Sequence, residues 1–428
     1  MRKITVLVLL LFSFLLEAAD FNTLLENAFK NNKEIQSAMK EVKSSEYQVK
    51  SVRSLYFPDI EAGYFKVIYD KEPLVVLPAG SFAPIDVYFP LTDDNFTNFN
   101  ITLNWLLYDF GGRSSAYKSA KKGFEAAILN VNLTKRQVAI NLLDRYTDAL
   151  TLKSYIDVIN HSIDAINSHL KDIKEFREEG FVPKSDVLRI EALKLNLEAQ
   201  KAELKGKLKV VLGDIERISF TKVNEDDISP LKDIKLWKEP VKLALENREE
   251  LKLLKTQSDV YKLKAKIEKS LNLPQLVAKV EYNDTTNALN PVKSNTTYYV
   301  GVKFKIFDGM KSHYNKKRYL KLSEKTTDLY DDTKEKIKIQ IENELETLNA
   351  LKKQYKFSKK AFEAAKENYR VVKLQFKEHI VSSVDLKDAI TDLKQNEANY
   401  LITGEKLKAQ KIKILWLCKK LGEETHEE

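Results

Sequence analysis

The sequence has one cysteine in 428 residues, Cys418, so no disulfide can form within the chain. Twelve glycines and ten prolines are few for this length. With 31% of residues charged, the composition describes long solvated helices better than a compact enzyme. The five histidines, His161, His169, His313, His379 and His426, show no metal-ligand spacing with cysteine. His161 and His169 fall eight apart on a helix and are expected to face solvent. A phosphate-cradling glycine loop, a nucleophile elbow and a paired-carboxylate catalytic context are all missing, which argues against catalysis and against a cofactor. The formal charge of +9 comes from 71 basic and 62 acidic residues spread along the chain. No arginine cluster or aromatic-interleaved basic patch gathers it, so nucleic acid is not an expected partner.

The N-terminus predicts export. Arg2 and Lys3 precede an apolar core, Ile4 to Leu16, of signal-peptide length and too short for a comfortable membrane span. Cleavage is expected near Ala18 or Ala19, which makes residues 1–19 the signal peptide. No cysteine follows to carry a lipid. Whatever holds the chain at a membrane must therefore be built from its own fold.

From Ser114 to about Glu178 there is no proline and one glycine, Gly123, and the sequence predicts a single very long helix. Ile156, Ile159, Ile163, Ile166, Leu170 and Ile173 step by 3, 4, 3, 4, 3, the seam of a left-handed coiled coil. At 1.5 Å per residue the helix is about 100 Å long, so it needs partner helices along its length. It ends at Gly180-Phe181-Val182-Pro183, followed by the start signal Ser185-Asp186, and a second helix returns from Val187 to about Leu212. The pair is an antiparallel hairpin with a tight tip.

Before the hairpin, Phe21 to Phe57 predicts one helix stopped by Pro58. Ile60, Ala62 and Tyr64 then alternate with Glu61 and Gly63, residues 70 to 96 read as a long loop, and Phe99, Ile101, Leu103, Trp105 and Leu107 alternate with Asn98, Asn100, Thr102 and Asn104. The plan then repeats. Ala244, Asn247, Glu250 and Leu251 lie 216 positions after Ala28, Asn31, Glu34 and Ile35, and Pro274 answers Pro58. Leu276, Ala278, Val280 and Tyr282 alternate with polar residues; Asn283 to Thr297 makes a loop; Tyr298, Val300, Val302, Phe304 and Ile306 form another two-faced strand. From Phe307-Asp308 onwards the offset is 199, so the first copy's loop is about 17 residues longer. A second long helix, Ser312 to about Glu378, places Ile341, Leu348, Tyr355, Phe362, Tyr369 and Phe376 at intervals of seven, with Lys352, Lys359, Lys366 and Lys373 on another face. That lysine stripe is either solvated or the lining of a shared lumen. After the tip His379-Ile380-Val381-Ser382, a last helix returns through Leu386, Ile390, Leu393, Tyr400, Leu407 and Ile414.

The expected organisation is a first repeat over 20–212, with a strand hairpin at 58–108 and a helical hairpin at 113–212, and a connector at 213–236. The second repeat covers 237–421, with a strand hairpin at 274–307 and a helical hairpin at 309–421, before an acidic tail at 422–428. The fold class is α+β and mainly helical: a duplicated plan of long antiparallel coiled-coil hairpins with four transmembrane β-strands per chain. Each strand has the length and alternation of a membrane-spanning strand. Four strands cannot close a barrel, and an open edge in lipid costs several kcal/mol for each unpaired backbone group, so the missing strands must come from other copies.

The repeat, the junction Leu107-Tyr108-Asp109-Phe110-Gly111-Gly112-Arg113 with its partner Phe307-Asp308-Gly309-Met310-Lys311, and the tip Gly180 to Asp186 together resemble the TolC family of outer membrane efflux proteins. The resemblance covers nearly the whole mature chain. It implies a homotrimer whose twelve strands form one barrel in outer membrane lipid, continuous with a periplasmic helical tunnel. It also implies a passive duct that works with a periplasmic adaptor (membrane fusion protein) and an inner-membrane transporter, with no enzymatic activity and no cofactor. Asp385 and Asp388 match the two aspartates at the family's tunnel mouth, where threefold symmetry would set six carboxylates around a narrow entrance; alternatively both merely favour a helix N-terminus. Asp186 matches the same position in the first repeat, where its carboxylate could bond across to a neighbouring helix. Phe376 stands in place of a tyrosine and Val381 in place of an arginine that can close the entrance, so closure here is expected to rest on packing or on other polar pairs. Gly180, Phe181, Val182 and Pro183, with His379, Ile380, Val381 and Ser382, are the expected adaptor-docking tips. His379 replaces a glycine where a positive φ is expected. The other class of function weighed is a non-conducting periplasmic adaptor or structural protein, which would need compact β-domains flanking a single hairpin.

Overall fold

The computed structural model describes residues 20–81 and 83–418; the expected signal peptide and the acidic tail lie outside them. The described chain is mainly helical and divides into two units. One contains residues up to Lys40, Leu129–Leu251 and Asp332 onwards; the other contains Glu41–Ile128 and Lys252–Asp331. Among the described residues no helix is long and apolar enough to cross a membrane.

The second unit carries the strands. β1 (Asp59–Ile68), β4 (Asn95–Tyr108), β5 (Gln275–Thr285) and β6 (Ser294–Lys303) form one antiparallel sheet in the order β1-β4-β5-β6, so the two repeats join through β4 and β5. Register follows from the alternation, because slipping by one residue would turn every side chain to the opposite face. Ala62, Ile101 and Tyr282 lie abreast, then Ile60, Leu103, Val280 and Tyr298, then Trp105, Ala278 and Val300, then Leu276 and Val302. The other face sets Gly63, Asn100, Asn283 and Asn295 abreast, then Glu61, Thr102, Glu281 and Thr297, then Asn104 and Lys279. One face is thus mainly apolar, wholly so across the four strands at Ile60, Leu103, Val280 and Tyr298, and polar towards one end of β5 and β6, where Asp284, Ser294 and Thr296 lie. Large side chains on it are open: Ile60, Tyr64, Tyr298 and Val300 are each about two-thirds exposed or more.

Two expectations are corrected here. The segment read as a loop over 70–96 contains a short ribbon, β2 (Leu74–Leu77) paired with β3 (Val87–Pro90), which its prolines and aspartates concealed. The last strand begins earlier than expected, at Ser294, and ends at Lys303, so Phe304 and Ile306 follow the sheet rather than belonging to it.

The first unit is helical. α3 (Gly112–Glu178) and α7 (Lys311–Lys377) each have 67 residues, and α4 (Lys184–Ser219) and α8 (Ser383–Cys418) each have 36, as the constant offset of 199 requires. The parts of these helices in this unit pack through the expected seam. Ile159, Ile166, Leu170 and Ile173 of α3 are buried against Val187, Ile190 and Leu197 of α4 and Phe376, Leu386 and Ile390 of the second hairpin. Each fully buried aliphatic side chain contributes about 1.5–3 kcal/mol, so the coil is held by packing rather than by helix propensity. A second cluster gathers Leu24, Ile35, Leu142, Leu143 and Tyr146 with Ile215, Ile228 and Leu231. The Tyr146 hydroxyl donates to Ser229 O at 2.9 Å and accepts from Ser229 N at 3.0 Å, pinning the connector to α3.

Three helix boundaries differ from expectation. The first helix is interrupted: α1 (Phe21–Asn31) ends at Asn32, which is extended, and α2 (Lys33–Ser54) begins at once. The Asn32 side chain makes the break by accepting from Glu34 N at 2.9 Å and donating to Ile218 O at 3.2 Å. The second repeat breaks at the matching place, Arg248, between α5 (Pro240–Asn247) and α6 (Glu249–Ser270), so the helix expected from Trp237 starts only at Pro240. Gly213 does not end its helix; α4 continues to Ser219 and stops where Phe220 turns left-handed.

Candidate functional site

The strand-to-helix junctions are aspartate-capped turns. Asp109 is buried, and its Oδ2 accepts from Arg113 N at 2.6 Å. The Arg113 side chain reaches back to Leu107 O at 3.0 Å and Leu55 O at 3.2 Å and lies over the Tyr56 ring. A Cβ on Gly112 would run into Ser270 Oγ, so glycine is needed there for close approach. Asp308 repeats the device, with its Oδ2 accepting from Ser312 N at 3.0 Å while Gly309 and Met310 take positive φ, as Phe110 and Gly111 do in the first copy. Asp109, Gly111, Gly112, Arg113, Asp308 and Gly309 therefore aim the long helices out of the sheet.

The two tips are built alike. At the first, Phe181 N donates to Phe176 O at 2.8 Å and Gly180 N to Arg177 O at 3.0 Å, with Gly180 at φ +83°. At the second, Ile380 N donates to Gln375 O at 2.8 Å and His379 N to Phe376 O at 3.1 Å, with His379 at φ +59°. Both are the same left-handed helix end, and a histidine holds a conformation that disfavours any residue with a Cβ by about 1–2 kcal/mol. Its ring offsets that cost by stacking on Phe181 at 4.8 Å between centroids and meeting the edge of Phe176 at 4.4 Å. The structure thus joins the two tips into one surface. Phe181 and Ile380 are 62% and 70% exposed, which leaves an apolar pair free at its end.

The carboxylates stand nearby, each already engaged. Asp385 Oδ2 accepts from Ser382 Oγ at 2.6 Å and Ser382 N at 2.9 Å, and the hydroxyl and then the backbone amide hold its carboxyl below the usual range. These contacts cap the start of α8. Asp388 is exposed and pairs with the adjacent Lys387 at 3.0 Å. Asp186 does not reach another helix; it pairs with Arg189 of its own helix at 3.2 Å. The crossing to the second hairpin is made instead by Arg189, whose Nη1 donates to Ser383 Oγ at 3.3 Å. Phe376 is buried and Val381 half-buried in the apolar seam.

Reasoning from the sequence missed one pair. His161 is exposed as expected, its side chain 70% accessible, but His169 is completely buried. Its Nε2 lies 2.9 Å from Tyr369 Oη, linking the two hairpins. A second stripe on α3, Val158, Ser162, His169 and Phe176, carried the signal: it flanks the seam and faces the other hairpin, and only the first stripe entered the heptad reading.

Farther along this unit, Arg136 is buried between Glu249 and Glu250 and donates to Trp416 O at 3.0 Å. Arg248 binds Glu250 through two nitrogens at 2.8 and 3.0 Å. The cleft of about 460 Å³ beside them is lined by Arg136, Arg248, Glu250, Gln340, Glu344 and Lys413. Its charges are paired among themselves, so the cluster ties the start of α6 to the end of α8.

Residues 24–215 match the sequence model described as outer membrane efflux protein. No curated protein matches the chain in sequence. Solved structures share its fold over nearly its whole length. The Vibrio cholerae outer membrane protein VceC superposes with a TM-score of 0.74 at 13% identity, covering 93% of this chain and 96% of VceC. The Neisseria gonorrhoeae MtrE outer membrane channel, solved in an open state, gives 0.76 at 15% identity over 95% and 91%. The Campylobacter jejuni CmeC outer membrane channel gives 0.73 at 14% identity over 94% and 87%.

Proposed function

We propose that the chain, whose residues 24–215 match the outer membrane efflux protein model, is the outer membrane exit channel of a tripartite efflux or type I secretion system. The observation that carries the reading is the sheet. Its mainly apolar face has a row, Ile60, Leu103, Val280 and Tyr298, that crosses all four strands, and its outer strands, β1 and β6, each have one side with no partner among the described residues. In lipid such edges must be paired. Pairing β6 of one copy with β1 of the next closes a barrel, and the resemblance to the family favours three copies and twelve strands. The apolar face then meets outer membrane lipid, while Asn100, Thr102, Asn104, Lys279, Glu281 and Asn283 line a watery bore.

The long helices continue the bore into the periplasm, where the joined tips, with Phe181 and Ile380 outermost, dock a periplasmic adaptor. Asp385 and Asp388 from three copies ring the entrance and favour cations; Lys387 offsets part of that charge. Closure rests on the packing of Phe376 and Val381 and on polar links other than the family's tyrosine and arginine. The protein binds no cofactor and catalyses nothing, and the inner-membrane transporter selects the cargo. Planar bilayers test this reading. Purified protein should give cation-selective conductance, lowered in selectivity by Asp385→Asn with Asp388→Asn. Bilayers that stay ion-tight with folded protein present would overturn it.

A further inference from the structure

The seam between the hairpins is mainly apolar, and one buried polar pair bridges it. His169, about three turns from the tip, is fully buried in it and meets Tyr369 Oη of α7 at 2.9 Å. Its other nitrogen, Nδ1, has no hydrogen-bond partner, nor does the buried Asp172 Oδ2 one turn on. Tyr369 packs against the apolar cluster that contains Ile166, Leu170, Ile173, Ile190, Phe376 and Ile390. The charged groups acting on the ring are Asp172 on its own helix and Lys373 and Lys377 on α7, with Lys377 Nζ 3.8 Å from Asp172. On α4, Glu191 pairs with Lys174, Arg189 with Asp186 and Lys194 with Glu198; on α8, Lys387 pairs with Asp388 and Lys394 donates to Gln200.

We propose that His169 and Tyr369 form a proton-operated clasp: the neutral imidazole pins α3 to α7, and a protonated one must leave the apolar seam, freeing the two hairpins to part. A buried imidazolium would have one N–H without an acceptor and two lysines nearby against one carboxylate, so the clasped state excludes the proton. Burial first, and Lys373 next, push the ring down from 6.5 to about 4. The direction follows from linkage. A released His169 binds its proton near pH 6.5 while the clasped one does not until about pH 4, so the clasp is at full strength above pH 6.5 and weakens as pH falls through that window. The loss approaches tenfold per pH unit, roughly 150-fold in the clasping equilibrium by pH 4 and levelling near 300-fold well below it. That parting opens the entrance is the one step that rests on the channel reading above.

The test uses the full chain purified in detergent, in a Cys418→Ser background, with nitroxide labels at Leu188→Cys on α4 and Leu374→Cys on α7, both exposed positions. Pulsed electron resonance should show the label separation lengthening between pH 7.5 and pH 4.5, no lengthening in His169→Leu, and a transition at higher pH in Tyr369→Phe. Equal lengthening in His169→Leu, or none with His169 present, overturns the clasp. Bilayer conductance is measured on the same proteins. Labels that respond to acid without any current at either pH would leave the clasp standing and refute the channel.

Discussion

The sidedness of the sheet can be broken at one residue. Ile101 lies mid-strand on β4 with Ala62 and Tyr282 abreast of it on the apolar face, while its neighbour Asn100 lies between Gly63 and Asn283 on the polar face. β4 spans Asn95–Tyr108, which puts both residues near the middle of the strand and near the bilayer midplane if the strand spans it. An arginine facing lipid at that depth costs about 2–4 kcal/mol, whereas a lumen-facing one costs little. Ile101→Arg is therefore expected to destabilise each protomer by about 2–4 kcal/mol, and a trimer by three times that. Asn100→Arg should stay within about 0.5 kcal/mol of the parent. Urea titration of protein folded into vesicles, with heat-modifiable mobility as a second readout, measures both. Equal losses for the two variants, or a larger loss for Asn100→Arg, would refute the assignment of the two faces.

Arg136→Met leaves Glu249 buried without its cation and should cost about 3–5 kcal/mol, seen as a lowered thermal midpoint; adding Glu249→Gln should recover much of it. At the tips, Gly180→Ala puts a Cβ on a residue at φ +83° and should destabilise by about 1 kcal/mol. His379→Ala keeps the strained backbone and loses both ring contacts, so it should be less stable than His379→Gly in the same melts. Ser382→Ala removes the hydroxyl that caps Asp385 and should raise the Asp385 carboxyl toward its ordinary value, read by pH titration of cation selectivity.

Much of the fold is legible in the sequence because it is written in period. A strict seven-residue spacing and a constant offset of 199 predict two equal long helices, and α3 and α7 are equal residue for residue. Alternation likewise places Ile101 and Val280 on one face. What period does not encode is where side chains override it. Asn32 and Arg248 sit in stretches with helical spacing and break them with their own hydrogen bonds and ion pairs. Gly213, a residue that usually ends helices, is carried through because Ile215 and Ile218 beyond it are buried. Of the site, the tips were legible from glycine and proline, and the left-handed turn at His379 from its match to Gly180. Asp186 pairs within its own helix, with Arg189 three residues on, a spacing that the match to the family's position does not bring out. His169 escaped because a histidine beside a seam reads as surface until the facing helix supplies Tyr369.

The central claim is that one chain's sheet is an arc whose edges, β1 and β6, are completed by other copies. Native mass spectrometry of the detergent-solubilised protein tests it most directly. The account predicts particles of three chains that survive until heating and then fall to one. A particle of one chain under every mild condition would contradict it.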